Sequence, residues 1–154
     1  ANDAAFQWGW FRSGDEGFYV RDKQGRPFFF ISGRLKELII RGGVNIAPLE
    51  IDEVLRNHPL VRFAMAVPFE HRYYGEEIAA YVVLRDGVAP PTEAELLTHC
   101  RRRLPFSKCP KVFLFGQGVP YTSTGKPKRL VLKTSLASAL AAYRDHQFKD
   151  TKLA

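Results

Sequence analysis

The 154-residue chain is 45% hydrophobic and 25% charged, the balance of one soluble globular domain with its own core. No apolar run approaches the ~18 residues of a membrane-spanning helix, and the start lacks the basic-then-apolar order of a signal peptide. A formal charge of +7 leaves three readings open: a nucleic-acid surface, a site for a polyanionic small molecule, or a solvated basic face.

The stretch up to about Ile31 is rich in aromatic residues and glycine and reads as a β-hairpin. Its strands cover residues 17–21 and 28–31, joined by a turn at Asp22-Lys23-Gln24-Gly25-Arg26. Trp8, Trp10, Phe11, Phe28 and Phe30 supply more apolar surface than one hairpin buries on itself, so the segment is expected to be orphaned. The apolar triplet Leu38-Ile39-Ile40 and the pair Gly42-Gly43 follow. Pro48 then opens a helix whose acidic residues, Glu50, Asp52 and Glu53, suit the positive end of its dipole; Asn57-His58-Pro59 ends it. Residues 61–68 and 78–84 read as strands. Thr92 and Glu95 form a capping box for a helix over 93–104. Residues 112–115 make a third strand, and Leu130, Leu132, Leu136, Leu140 and Tyr143 mark a last amphipathic helix. The tail after about His146 is polar and expected to fray. The pattern predicts an α+β domain of about three strands and three helices. The two cysteines, Cys100 and Cys109, form no CxxC pair and are too few for a secreted disulfide scaffold, which points to reduced thiols and a cytoplasmic location.

Four segments carry chemistry. In Phe11-Arg12-Ser13-Gly14-Asp15, the carboxylate after a glycine turn either faces vicinal hydroxyls of a nucleotide ribose or simply closes an Asx turn. Gly33-Arg34-Leu35-Lys36-Glu37 reads as a flexible joint or a polar turn. In Arg41-Gly42-Gly43-Val44-Asn45, paired glycines let backbone approach a ligand closely, or merely turn a strand into a helix; the P-loop pattern is absent. In Pro120-Tyr121-Thr122-Ser123-Thr124-Gly125-Lys126-Pro127, hydroxyl residues and a glycine precede a lysine. That lysine is either a movable point charge for phosphate and carboxylate oxygens or part of a basic surface loop.

Together, in this order, the segments resemble motifs of the adenylate-forming superfamily, which includes acyl- and aryl-CoA ligases, peptide-synthetase adenylation domains and beetle luciferases. Residues 11–15 are similar to its aromatic-Arg-Ser/Thr-Gly-Asp motif. Residues 33–46 with Glu50-Ile51-Asp52 resemble its hinge-and-loop motif, and residues 120–126 its carboxy-terminal Ser/Thr-Gly-Lys motif. The resemblance covers about residues 9–140.

The resemblance implies that residues 1–34 are the tail of a large adenylation domain missing from this sequence, and that 35–154 form a small mobile carboxy-terminal domain. It implies Asp15 and Arg34 as nucleotide-binding residues, Lys36 as the hinge, and Lys126 as the catalytic lysine of acid adenylation. Arg41 and Asn45 become polar contributors in a second, thioester-forming pose, in which Gly42 and Gly43 line a channel for coenzyme A. ATP, Mg²⁺ and coenzyme A are the implied co-substrates and metal, with no metal site assigned to these residues. The implied partners are the large domain and a small carboxylic acid. Neither a nucleic acid nor a membrane span is expected, and the orphaned hairpin is expected to self-associate. The chain alone should be an inactive part of an acid–CoA ligase. The competing readings are a peptide-synthetase domain loading a carrier protein and a noncatalytic basic binding module. Gly75-Glu76-Glu77 leans toward fatty or aryl acid ligases.

Overall fold

The structure, a computed structural model, describes residues 5–148; most of the tail expected to fray lies outside them. It opens with two small antiparallel ribbons. β1 (Phe6–Gln7) pairs with β2 (Trp10–Phe11), and β3 (Asp15–Arg21) pairs with β4 (Pro27–Arg34). Asp22 makes the β3–β4 reversal: its Oδ1 accepts the backbone N–H groups of Gln24 at 2.8 Å and Arg26 at 2.9 Å. The bond from the Arg26 N–H is the main cause that holds the Asp22 carboxyl below its ordinary range. These ribbons bury little. Trp8 is 88% exposed, Trp10 78% and Phe29 77%, which agrees with the orphaned hairpin read from the sequence.

A single 3-10 turn over Leu35–Glu37 leads into the second part. There, one mixed sheet is built from β5 (Ile39–Arg41), β6 (Val44–Ile46), β7 (Val61–His71), β8 (Gly75–Leu84) and β9 (Val112–Phe115). The order is β6-β5-β8-β7, with β9 parallel to β8 and every other pairing antiparallel. The helices are α1 (Pro48–Arg56), α2 (Glu93–Arg101) and α3 (Arg129–Ala141).

The α+β class and the three helices agree with the sequence reading, and the sheet carries five strands where about three were expected. The extra two, β5 and β6, are three residues each, too short to show a period. β7 also runs on to His71, because its register with β8 continues to the pair His71–Gly75. α2 stops at Arg101, before the expected Leu104; Pro105 follows closely and disfavours helical backbone at the residue before it. Its capping box forms as read, with the Glu95 N–H donating to Thr92 Oγ1 at 3.2 Å and the Thr92 N–H to Glu95 Oε2 at 2.7 Å.

The sheet is covered on both faces. On one, Ile51, Val54 and Leu55 of α1 and Leu96 and Cys100 of α2 pack with Ala64 and Ala66 of β7 and Ile78 and Ala80 of β8. On the other, Leu132 and Leu140 of α3 pack with Met65, Val67 and Phe69 of β7 and Ala79 of β8. Burial on both sides explains why β7 and β8 read as continuous apolar runs rather than as alternating strands. No helix among the described residues is long and apolar enough to cross a membrane.

Candidate active-site elements

Lys126 sits on a closed loop immediately before α3. The Thr122 N–H donates to the Lys126 carbonyl at 2.8 Å, the Gly125 N–H to the Thr122 carbonyl at 3.0 Å, and the Lys128 N–H to the Pro120 carbonyl at 2.8 Å. Thr122 Oγ1 accepts the Lys126 N–H at 3.0 Å and lies 2.9 Å from Thr124 Oγ1. The hydroxyl residues read from the sequence therefore build the turn itself. Gly125 adopts φ +76°, a conformation costly for other residues. The Lys126 side chain is exposed, and among the described residues its ammonium takes part in no hydrogen bond or ion pair.

The loop is anchored by Arg129, three positions after Lys126 and only 4% exposed. Its Nη2 donates to Asp52 Oδ2 at 2.7 Å, its Nη1 to the Ala66 carbonyl at 2.5 Å, and its Nε to Glu37 Oε2 at 2.9 Å. Asp52 Oδ1 also accepts the Ala66 N–H at 2.6 Å. Burial works against the Arg129 charge, but Asp52 and then Glu37 outweigh it, so the guanidinium pKa stands above its ordinary value. Burial pushes the Asp52 carboxyl up, against the pull of Arg129 and the Ala66 N–H. Asp52 faces inward instead of complementing the helix dipole as the sequence suggested, and the Arg129 charge lies in the interior. At helical spacing Asp52 shares a face with Pro48, Ile51 and Leu55 while Glu50 and Glu53 do not, which was the available signal for the first; nothing local marked the second.

Residues 41–45 form the β5–β6 reversal, in place of the strand-to-helix turn read from the sequence. Arg41 pairs with Val44, and between them Gly42 and Gly43 take φ +55° and +81°. Two successive residues of positive φ define the tight hairpin turn whose twist matches its strands, which is the local reason for paired glycines. The turn tip is exposed, as is Asn45. Arg41 is occupied: its Nε donates to Glu77 Oε1 at 2.7 Å, and its guanidinium lies 4.1 Å from the Tyr74 ring centroid. Burial opposes the charge of Arg41, and the Glu77 carboxylate more than offsets it, raising the guanidinium pKa. The Gly42 N–H donates to the Tyr74 carbonyl at 2.9 Å, so Tyr74 braces the turn from two directions. Glu77, Glu76 and Tyr74 had not been assigned these roles from sequence. Glu77 is fully buried, and among the described residues its Oε2 has no hydrogen-bond partner. Glu76 takes the Ile40 N–H at 2.8 Å and Lys133 Nζ at 3.3 Å.

Asp15 and Arg34 are brought together as cross-strand partners at the base of the β3–β4 hairpin, 3.5 Å apart, with side-chain exposures of 35% and 61%. Lys36 is exposed at the centre of the 3-10 turn. On one side of it the Leu35 N–H donates to the Gly14 carbonyl at 2.9 Å; on the other, Glu37 meets Arg129. The lysine loop and the double-glycine turn thus belong to different elements of one small domain. Among the described residues no group of three or more His, Cys, Asp or Glu converges as for a metal ion.

Residues 50–126 match the family described as the AMP-binding enzyme C-terminal domain. A sulfoacetate–CoA ligase of Cupriavidus necator is 51% identical over 124 residues, 80% of this chain and 23% of that protein. An oxalate–CoA ligase of Arabidopsis thaliana is 39% identical over 132 residues, 86% of this chain and 25% of that protein. Among solved structures, o-succinylbenzoate CoA synthetase of Bacillus subtilis, in complex with its acyl-adenylate intermediate, superposes with a TM-score of 0.75. It is 36% identical over 85% of this chain and 26% of that one. A fatty acyl CoA synthetase of Mycobacterium tuberculosis superposes with a TM-score of 0.69, at 34% identity over 89% of this chain and 26% of that one. The chain thus spans about a quarter of the length of the relatives it matches. A closed loop presenting an exposed lysine, an exposed double-glycine turn and this agreement lead to one assignment: the chain belongs to the AMP-binding enzyme C-terminal domain family of adenylate-forming enzymes.

Proposed function

We propose that residues 35–154 are the mobile carboxy-terminal domain of an ATP-dependent acid–CoA ligase, and that 1–34 are the end of its large adenylation domain. The observation that carries the proposal is Lys126: exposed, unpaired among the described residues, and held on a loop anchored through Arg129 to the core. A rigidly mounted cation of this kind stabilises charge developing between an attacking carboxylate oxygen and the α-phosphorus as pyrophosphate leaves. Asp15, steadied by Arg34, remains open enough to accept from ribose hydroxyls. The double-glycine turn offers backbone without side chains to the pantetheine arm when the coenzyme A thiol displaces AMP. These two environments sit on separate elements, so rotation at Lys36 alternates them. Mg²⁺ accompanying ATP is assigned to the nucleotide and to residues outside those described. Arg41, engaged with Glu77, braces the turn, while Asn45 remains a polar contributor. The exposed aromatic ribbons are the surface against which the rest of the large domain packs.

The test uses the whole parent protein with and without Lys126→Ala. ATP-dependent AMP release is followed with and without coenzyme A. The acids are sulfoacetate, oxalate, and a set of fatty and aromatic acids. Coenzyme-A-dependent AMP release that falls by at least about 100-fold in the variant supports the proposal. Release unaffected by the variant, or transfer only to a carrier-protein thiol, replaces it.

A further inference from the structure

The hinge segment is gripped from both sides, and the two grips lead to different places. On the amino-terminal side, the Leu35 N–H donates to the Gly14 carbonyl at 2.9 Å and Arg34 pairs with Asp15 across β3–β4. That side belongs to the aromatic ribbons. On the carboxy-terminal side, Glu37 Oε2 accepts Arg129 Nε at 2.9 Å across 92 positions of sequence. Only Lys36 lies between Leu35 and Glu37, and it is exposed. A change of orientation at Lys36 therefore passes directly into Glu37.

From Glu37 the two chemical elements are reached by unlike routes. The double-glycine turn follows along the chain through β5, whose position is set by pairing with β6, by the Arg41–Gly75 contact to β8, and by the Ile40 N–H on Glu76. Covalent geometry carries the turn with the hinge. The lysine loop is remote in sequence, and among the described residues the Glu37–Arg129 ion pair at the start of α3 joins it directly to the hinge segment. Arg129 also bonds Asp52 and the Ala66 carbonyl, contacts that do not involve Glu37. The buried anchor of α3 therefore outlasts the loss of that one partner.

We propose that Glu37 is a positioning residue for the adenylation half-reaction, transmitting the orientation of the hinge to Lys126 through Arg129 and acting little on the thioester half-reaction. This rests on the acid–CoA ligase reading above. Positioning errors of about 1 Å cost on the order of 100-fold in rate. The packing of Leu132 and Leu140 under the sheet retains part of the alignment, so the expected loss lies between about 10- and 100-fold.

The experiment uses the whole parent protein and measures the two half-reactions separately. Acid-dependent exchange of labelled pyrophosphate into ATP reports adenylation. Coenzyme-A-dependent AMP release from supplied acyl-adenylate reports the thioester step. Glu37→Gln and Glu37→Ala are expected to lower the exchange rate about 10- to 100-fold at unchanged KM for ATP, with the thioester step within about twofold of wild type and the melting midpoint preserved. Glu37→Asp, which keeps the charge on a shorter arm, is expected to recover part of the exchange. Equal loss in both half-reactions accompanied by a lowered melting midpoint would show a purely structural role and overturn the proposal, as would unchanged exchange in both Glu37 variants. Lys126→Ala run alongside separates the two levels: if exchange survives that substitution, the catalytic reading of Lys126 fails and this proposal with it. Loss of exchange in Lys126→Ala but not in the Glu37 variants removes Glu37 alone.

Discussion

Arg129 at the start of α3 and Asp52 in the middle of α1 face each other at 2.7 Å, 77 positions apart in sequence and buried on both sides. They join helices packed on opposite faces of the sheet, at the level of Ala66 in β7. Removing one partner strands the other charge in the interior. Asp52→Ala is therefore expected to lower stability by about 3–5 kcal/mol. Arg129→Met should approach that cost, and the double variant Asp52→Leu with Arg129→Met should be less destabilised than Asp52→Ala. Urea unfolding of the 154-residue chain measures all three.

Arg41 and Glu77 form the second buried pair, with side-chain exposures of 11% and 0%. Arg41→Ala leaves a fully buried carboxylate without its cation and is expected to cost roughly 3–5 kcal/mol. Arg41→Lys should recover only part of this, since a lysine keeps the charge but loses the planar stacking on Tyr74. The unfolding midpoints of the two variants check the order.

At Gly43 the positive φ and the open space around the site make separable demands. Nothing lies within 4 Å of a Cβ built there, so only backbone conformation opposes a side chain. Gly43→Val is expected to destabilise by about 1–2 kcal/mol, and Gly43→Asn, which tolerates left-handed backbone, by less. If coenzyme A passes along this turn, Gly43→Asn slows the thioester step while leaving the fold nearly unchanged. Unfolding measurements paired with single-turnover thioester assays distinguish the two effects.

His58 ties α1 to α2 and responds to pH. Burial foremost, then the neighbouring His99, hold its pKa below the ordinary value, with Glu95 pulling the other way. Its ring meets His99 edge-on at 5.0 Å, and Nδ1 accepts the Leu60 N–H at 3.3 Å. The folded state therefore favours the neutral ring. This contribution is fully present above the unfolded histidine value of about 6.5 and is lost as pH falls through the lower folded value. The urea midpoint of the chain should drop between about pH 7.5 and pH 5.5, and His58→Gln should shrink that drop.

The aromatic ribbons should make the isolated chain associate. Trp10 and Phe29 are 78% and 77% exposed, a larger apolar display than a monomer in water keeps uncovered. Sedimentation of the 154-residue chain is expected to show concentration-dependent oligomers, reduced by Trp10→Ser with Phe29→Ser. A monodisperse monomer at all concentrations removes this expectation.

Much of this protein was legible in one dimension because the signals are local. The hairpin turn at Asp22, the capping box at Thr92, the strand at residues 112–115 and the proline at the start of α1 each depend on backbone rules that operate within a few residues. The lysine loop and the double-glycine turn were visible for the same reason. Their hydroxyl and glycine residues are the ones that such tight turns require.

The tertiary structure alone decided what the charged residues do. Whether Asp52 complements a dipole or neutralises Arg129 depends on which face of α1 meets the sheet, and whether Arg41 contacts a ligand or Glu77 depends on the meeting of β5 with β8. These contacts join positions far apart in the chain, and a long-range ion pair leaves no periodic trace in sequence. Burial selects the partner: a guanidinium that loses water must find carboxylates, and only the folded arrangement supplies Asp52 and Glu37 to Arg129.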